Sequence, residues 1–395
     1  MSSRPRAARS FNAAAGPGLR SCLLLAAVLT AAACRLDTSG DRLAADVDHW
    51  TAMMQLRSAN RGWAQVAQTT LPALAGARAA LRQGRRELAL ELVAGARVEI
   101  EATSYWLQSC SGRRFDEGRF EAEWARMGGG PLHGALGTPD PGALSAVRPA
   151  AARAIGEAAL PEVGTYYRAS LPYGRSTTPQ SGCYYLGNAV ALDHLVTFCR
   201  RLGAAAPAGP AGRQPELPVV RPLDGELDAL ERELAAAFQP PAAVASHGAF
   251  IKAGSLLKEA RELDAGGLRF GALLRYLQAA FAVRTLAPRR SPDPTAGSAP
   301  AAAAPLDARE LGARLRAMES RLDAGGGVDH GIGRIWLERA ATYLDPGAPR
   351  GGLAAADAIL DDVMPRYLAA LGAAPPGRPR AVPAVTVTLV RWPFT

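Results

Sequence analysis

Apolar side chains recur along the chain at intervals of three and four residues, the spacing that places them on one face of an α-helix. Leu223, Leu227 and Leu230 follow this spacing, and segment 306–322 repeats it. We expect the first helix to end near Pro72 and the fifth to bend at Pro149 and Pro161. The predicted helices cover about 41–71, 73–83, 85–109, 116–127, 144–170, 182–202, 223–238, 244–264, 268–286, 306–322, 333–344 and 353–371. This pattern predicts an all-α fold, with helical hairpins in a solenoid-like array or in an irregular α-bundle.

The carboxyl-terminal end has a different pattern. Val385, Val387 and Leu389 alternate with Thr386 and Thr388, which is typical of a β-strand. A lone strand leaves its backbone groups unpaired, so we expect it to pair with the sheet edge of a partner protein by β-augmentation. Pairing with another strand of this chain, or packing on the last helix, is the alternative.

Proline- and alanine-rich segments divide the chain into regions. Residues 203–222 combine several prolines with little periodic apolar content, which predicts a linker. The linker would separate an amino-terminal helical region, 34–202, from a carboxyl-terminal helical region, 223–371. Residues 372–395 would then form a proline-rich tail with the strand-like end.

The first 33 residues are typical of a secretory signal peptide. A basic segment without acidic residues precedes an apolar stretch of 12 residues, 22–33, which is too short to span a bilayer. The stretch ends in Ala31-Ala32-Ala33-Cys34, which resembles the lipobox of bacterial lipoproteins. The resemblance implies a lipid on Cys34 and, because Arg35 follows rather than aspartate, an outer-membrane anchor facing the periplasm. Ordinary signal cleavage, which would give a soluble periplasmic or secreted protein, is the alternative.

Three cysteines remain once the signal peptide and Cys34 are set aside. Cys183 and Cys199 would lie about 24 Å apart on one helix, too far for a disulfide bond. A disulfide would therefore join Cys110 to one of these two residues. The alternative is three buried thiols that serve as small apolar side chains.

Residues 249–286 hold two helical segments around a turn at Gly267. Small and large side chains alternate at fixed spacings: Leu256, Ala260 and Leu263 in the first segment, and Ala272, Tyr276 and Ala279 in the second. The pattern resembles one tetratricopeptide repeat, which implies two closely packed antiparallel helices and a surface for a protein partner. It departs from that family at Glu259, where a large apolar residue is expected.

Charge and motifs exclude several function classes. The formal net charge is +9, but four arginines lie in the signal segment, and the remaining basic residues are interspersed with glutamates. We therefore expect no nucleic-acid binding. The P-loop, the serine-hydrolase elbow, the H-E-x-x-H zinc motif and C-x-x-C are all missing, so we expect neither enzyme activity nor a metal or cofactor. The glycine-rich segment around Asp329 and His330 is typical of a solvated turn.

Five of the nine tyrosines fall between residues 166 and 185, beside polar side chains and two glycines, Gly182 and Gly187, that would allow close helix approach. Tyrosine offers an apolar ring with a hydrogen-bonding end, which suits a binding surface. The alternative is a tyrosine-lined seam between helices. The candidate binding residues are Tyr166, Tyr167, Tyr173, Arg175, Tyr184, Tyr185 and Asn188.

Two functions follow from these observations. The first is a lipid-anchored cell-envelope protein that acts as a helical scaffold or adaptor for a protein partner. The second is a lipoprotein that binds a small ligand in a tyrosine-lined pocket near residues 166–188.

Overall fold

The computed structural model of the protein describes residues 39–110, 115–137, 140–175, 179–204, 216–238, 246–286, 306–324, 327–348 and 351–372. The signal segment, Cys34 and the strand-like tail lie outside these residues, so the hypotheses about them stay predictions.

Within the described residues the chain forms α-helices and no β-sheet, which confirms the all-α prediction. The helices are α1 (Ser39–Arg57), α2 (Arg61–Arg82), α3 (Arg86–Ser109), α4 (Glu117–Gly129), α5 (Ala150–Gly174), α6 (Pro179–Ala204), α7 (Asp224–Ala237), α8 (His247–Ala265), α9 (Arg269–Leu286), α10 (Ala308–Asp323), α11 (Gly331–Leu344) and α12. Helix α12 runs through Gly352–Ala358, a π-helical turn at Ile359–Val363, and Met364–Ala370. No helix in these ranges combines the length with the apolar composition that a bilayer crossing requires.

The predicted helix over 41–71 is wrong, because the chain breaks at residues 58–60 and not at Pro72. The side chain of Asn60 accepts a hydrogen bond from the Gly62 N–H at 2.9 Å and so caps α2. Pro72 then lies inside α2, where it leaves the carbonyl of the exposed residue Gln68 without a helical donor. The predicted bend at Pro149 is likewise a helix start, since Pro149 is the residue before α5.

Neighbouring helical hairpins form one row in the order α1, α2, α3, α6, α5, α9 and α8. The α8–α9 hairpin, expected from the repeat-like pattern, turns at Gly267, whose φ of +76° favours glycine. Helix α11 packs against α3 and α5, and α12 packs against α9. These helices add a second layer, so the arrangement is a bundle built from hairpins. One hydrophobic core contains side chains from both sides of segment 203–222.

Two glycines let α6 lie very close to its neighbours, as the sequence predicts. A Cβ atom on Gly182 would come within 2.3 Å of the backbone nitrogen of Gly174 in α5. A Cβ atom on Gly187 would come within 2.7 Å of the carbonyl oxygen of Ala102 in α3. Helix α6 is therefore held between α3 and α5, with the tyrosines of its first turns near both.

A fully buried carboxylate joins α5 to α9. Glu157, in α5, accepts hydrogen bonds from the backbone N–H groups of Phe270 and Gly271 at 2.9 and 3.0 Å. These N–H groups open α9 and have no partner within that helix. Arg153 donates to the other oxygen of Glu157 at 2.7 Å. The charge is thus compensated by an arginine and by a helix amino terminus.

Asp329 makes the same kind of contact, so the prediction of a solvated turn around Asp329 is wrong. Its carboxylate accepts from the N–H of Ala150 at 2.6 Å, at the start of α5, and from the N–H of Gly331 at 2.9 Å, at the start of α11. Two further carboxylates accept from an N–H group at or next to the amino terminus of a different helix: Asp264 of α8 from Leu223 and Glu338 of α11 from Leu88.

Candidate functional site

Four of the predicted site residues form a cluster at the seam between α5 and α6. Tyr173 and Tyr185 stack with their ring centroids 4.4 Å apart and nearly parallel. The ring centroid of Tyr166 lies 5.9 Å from that of Tyr185. The ring centroid of Tyr184 lies 6.4 Å from that of Tyr185, and the planes of these two rings are almost perpendicular. A hydrogen bond to Tyr173, together with burial, raises the pKa of Tyr185. We call these four residues the tyrosine cluster.

The other three predicted residues make contacts elsewhere. Tyr167 is buried against Trp124 of α4, with stacked rings 4.6 Å apart, and donates its hydroxyl hydrogen to the Trp124 carbonyl. Arg175 forms an ion pair with Glu121 at 2.7 Å, and both side chains are exposed. The Asn188 side chain donates to the carbonyl of Tyr184 at 2.9 Å, within α6.

A cavity of about 350 Å³ opens beside the tyrosine cluster, between α5 and α8, and we call it the α5–α8 cavity. Tyr166 and Tyr185 form its aromatic side, and Leu263 contributes to its apolar lining. Its polar lining consists of Glu162, Thr165, Ser255, Lys258, Glu259 and Glu262.

Carboxylates dominate the charge of this cavity. Arg275 of α9 holds Glu162 at 2.5 Å and lies 2.9 Å from Glu259 through its Nε atom. That Nε–H is not aligned for a hydrogen bond, so the Glu259 carboxylate keeps accepting capacity for a ligand. Lys258 lies 3.9 Å from Glu262, and both side chains are largely exposed.

Burial and neighbouring charges change the acidity of the groups in the α5–α8 cavity. Burial raises the pKa of Glu259, although Arg275 opposes this by lowering it. Burial also raises the pKa of Tyr166, and the carboxylate of Glu162 adds to the effect. A positive charge in the cavity would favour the ionised forms of Glu259 and Tyr166, so it would lower the pKa of each group.

A second cavity, of about 500 Å³, lies between α2, α3 and α6, and we call it the α3–α6 cavity. It shares Tyr185 with the first cavity and also contains Tyr184. Next to it, Cys110 and Cys183 form a disulfide bond, with Cα atoms 6.3 Å apart. The sequence allowed Cys110 to pair with either Cys183 or Cys199, and the observed partner is Cys183. Cys199 is the buried free thiol, and burial raises its pKa to about 12.

In the described part of the chain, histidine, cysteine, aspartate and glutamate side chains do not gather in groups of three that could hold a metal ion. No protein family, no curated protein and no solved structure matches the chain. The proposals that follow therefore depend on the geometry of the two cavities.

The acidic side of the α5–α8 cavity was absent from the sequence prediction. Glu162 and Glu259 are about a hundred residues apart in the chain, and only the packing of α5 near α8 brings them together. One signal was available, because Glu259 stands where the repeat-like pattern expects a large apolar residue. A charged residue on the packing face of a hairpin indicates a charged partner nearby, and here Arg275 of α9 lies against both Glu259 and Glu162.

Proposed function

We propose that the protein is a lipid-anchored cell-envelope protein that binds a small organic ammonium ion in the α5–α8 cavity. The observation that carries the proposal is that Glu162 and Glu259 line one cavity with the rings of Tyr166 and Tyr185. A carboxylate attracts an ammonium group through its charge, and a tyrosine ring attracts it through the negative face of its π-system. This is the small-ligand function of the two expected from the sequence.

The charge balance of the cavity supports a cationic ligand. Three carboxylates, those of Glu162, Glu259 and Glu262, are paired with only two cations, Arg275 and Lys258. One negative charge is left over, and a ligand with an ammonium group would neutralise it. The pair between Lys258 and Glu262 is long and exposed, so it contributes little and a ligand can replace it.

The apolar part of the lining supports a ligand with an alkyl chain. Ala158, Ala169 and Leu263 line the same cavity as the carboxylates. A chain of methylene groups would cover this surface while its ammonium end meets Glu259. The volume of about 350 Å³ lies within the range of small-molecule sites. An aliphatic diamine combines these properties.

Calorimetric titration with putrescine (butane-1,4-diamine) tests the proposal, with butane-1,4-diol as the uncharged analogue. We expect the diamine to bind and the diol to bind at least about tenfold more weakly, since it lacks the charge. The substitution Glu259→Gln should weaken putrescine binding by about tenfold. Glu319→Gln is the matched control, because it removes the same charge from an exposed position on α10.

Two results would contradict the proposal. Equal affinities for the diamine and the diol would show that charge plays no part in binding. Equal losses in the two variants would show that only the net charge of the protein matters, and not the carboxylate in the cavity.

A further inference from the structure

We infer that the α3–α6 cavity is a second binding site and that its ligand is a neutral saccharide. The cavity has a volume of about 500 Å³, within the range of small-molecule sites, and it is open to solvent along α2 and α6. Tyr185 is the residue that it shares with the α5–α8 cavity.

Aromatic rings from two helices line this cavity. Trp106 comes from α3, and Tyr184 and Tyr185 come from α6. Tyr184 keeps 45% of its surface exposed and lies at 87° to the ring of Tyr185. Aromatic rings of this kind provide flat apolar surfaces on which the C–H face of a sugar ring can stack, while the hydroxyl of Tyr184 can bond a sugar oxygen.

The polar lining matches hydroxyl groups rather than an anionic ligand. Gln65 and Gln180 carry carboxamides, which both donate and accept hydrogen bonds, as a sugar hydroxyl does. Glu99 accepts from Thr69 through one oxygen at 2.7 Å, and its second oxygen can accept from a ligand hydroxyl. Among the described residues, the lining contains no lysine or arginine that would attract a phosphate or a carboxylate.

A covalent bond holds the two aromatic walls in place. Cys110 follows Trp106 by one helical turn, Cys183 precedes Tyr184 directly, and these two cysteines form the disulfide. The aromatic residues of α3 and α6 are thereby fixed relative to each other before any ligand arrives. A site whose walls are already ordered loses less conformational entropy on binding, which favours the recognition of a weakly interacting ligand such as a sugar.

This inference does not depend on the proposed amine site. Apart from the shared Tyr185, the two cavities take their polar groups from different helices, and the variants expected to weaken binding differ between the two tests. Either site can therefore fail its test while the other passes.

Titration with three neutral disaccharides, cellobiose, maltose and chitobiose, tests the inference. Isothermal calorimetry measures the binding. We expect at least one of them to bind with a Kd below about 10 mM, and glycerol to give no signal at the same concentration. Gln65→Leu should weaken this binding about fivefold. Gln68→Leu is the matched control, because Gln68 is exposed on the same helix and does not line the cavity.

A second variant, Tyr184→Ala, removes a half-exposed ring and should weaken disaccharide binding. The protein should stay folded, and circular dichroism checks this. The inference is overturned if none of the three disaccharides binds, or if Gln65→Leu and Gln68→Leu behave alike. It is also overturned if Glu259→Gln, which lies in the other cavity, abolishes disaccharide binding, since the ligand would then occupy the α5–α8 cavity.

Discussion

Tyr166 and Tyr167 are adjacent in the chain, yet their rings make unrelated contacts. Tyr166 lines the α5–α8 cavity beside Glu162, whereas Tyr167 is buried against Trp124. Successive residues of a helix point about 100° apart, so a cluster of tyrosines in sequence divides between a site and the core. At this scale it is the neighbouring element, α8 for one ring and α4 for the other, that decides the role of each residue.

The acidity of Glu259 predicts how diamine binding depends on pH. Because burial raises its pKa, the Glu259 carboxylate takes up a proton at a higher pH than an ordinary glutamate does. The ionised form attracts the ammonium group, so putrescine should be released as the pH falls toward this raised pKa. We expect the Kd from calorimetric titration to rise as the pH is lowered from 7.5 to 4.5, and the rise should begin at a higher pH than an ordinary glutamate would give.

Glu259→Gln provides the control for this pH dependence. The variant carries no proton-binding group at this position, so its weaker affinity should stay nearly constant over the same pH interval. A wild-type affinity that does not change with pH would exclude Glu259 as the group that meets the ligand.

At the scale of elements, the disulfide connects the carboxyl-terminal end of α3 to the first turns of α6. Cys110 and Cys183 are separated by 73 residues, so the bond restricts a long loop in the unfolded chain. In the chain-entropy treatment, a loop of this length contributes about 4 kcal/mol to the free energy of unfolding. We expect Cys110→Ala to lower the free energy of unfolding, measured in urea, by about 2 to 4 kcal/mol.

Cys199→Ala serves as the comparison for this experiment. Cys199 is also buried, in α6, but its thiol is free, so its replacement removes only a sulfur atom from the core. A cost similar to that of Cys110→Ala would mean that packing, and not the covalent link, stabilises this end of α6.

Most helices could be predicted from the sequence because their apolar spacing is regular and their ends carry ordinary signals. Asp116 and Asp307 cap α4 and α10 close to the predicted starts. The break before α2 was missed because Asn60 interrupts an otherwise continuous apolar pattern by a side-chain cap. The helix end predicted at Pro72 was wrong, because a helix can accommodate a proline where the carbonyl one turn earlier faces water.

At the scale of the whole molecule, Glu157 is one of the buried carboxylates that tie the amino-terminal helices to the carboxyl-terminal ones. Glu157→Ala should lower the free energy of unfolding by about 3 to 5 kcal/mol, because it leaves two buried N–H groups of α9 without their acceptor and removes the charge partner of Arg153. Glu157→Gln keeps an acceptor oxygen and should cost less, about 1 to 3 kcal/mol. Urea denaturation measures both values.

Glu319→Ala is the reference for these variants, since an exposed glutamate should change stability by no more than about 0.5 kcal/mol. If Glu157→Ala cost no more than this reference, the link between α5 and α9 would have to come from apolar packing and from the ion pair between Glu162 and Arg275.

Contacts between residues so far apart along the chain could not be predicted from one sequence. Glu157 lies in an alanine-rich helix where it looks like an ordinary surface glutamate, and its partners are backbone groups that carry no residue-specific signal. Asp329 was assigned to a solvated turn for the same reason. Side-chain periodicity indicates which face of a helix is buried, but it does not indicate which helix terminus will meet that face.

The bond between Glu157 and the start of α9 also sets an order for maturation of the newly made chain. Glu157 leaves the ribosome 113 residues before Phe270, a delay of roughly 6 to 20 s at ordinary synthesis rates. Until Phe270 and Gly271 arrive, the partners available to the carboxylate are Arg153 of its own helix and water. We expect a chain that stops before α9 to leave this carboxylate and its apolar surroundings accessible to proteases.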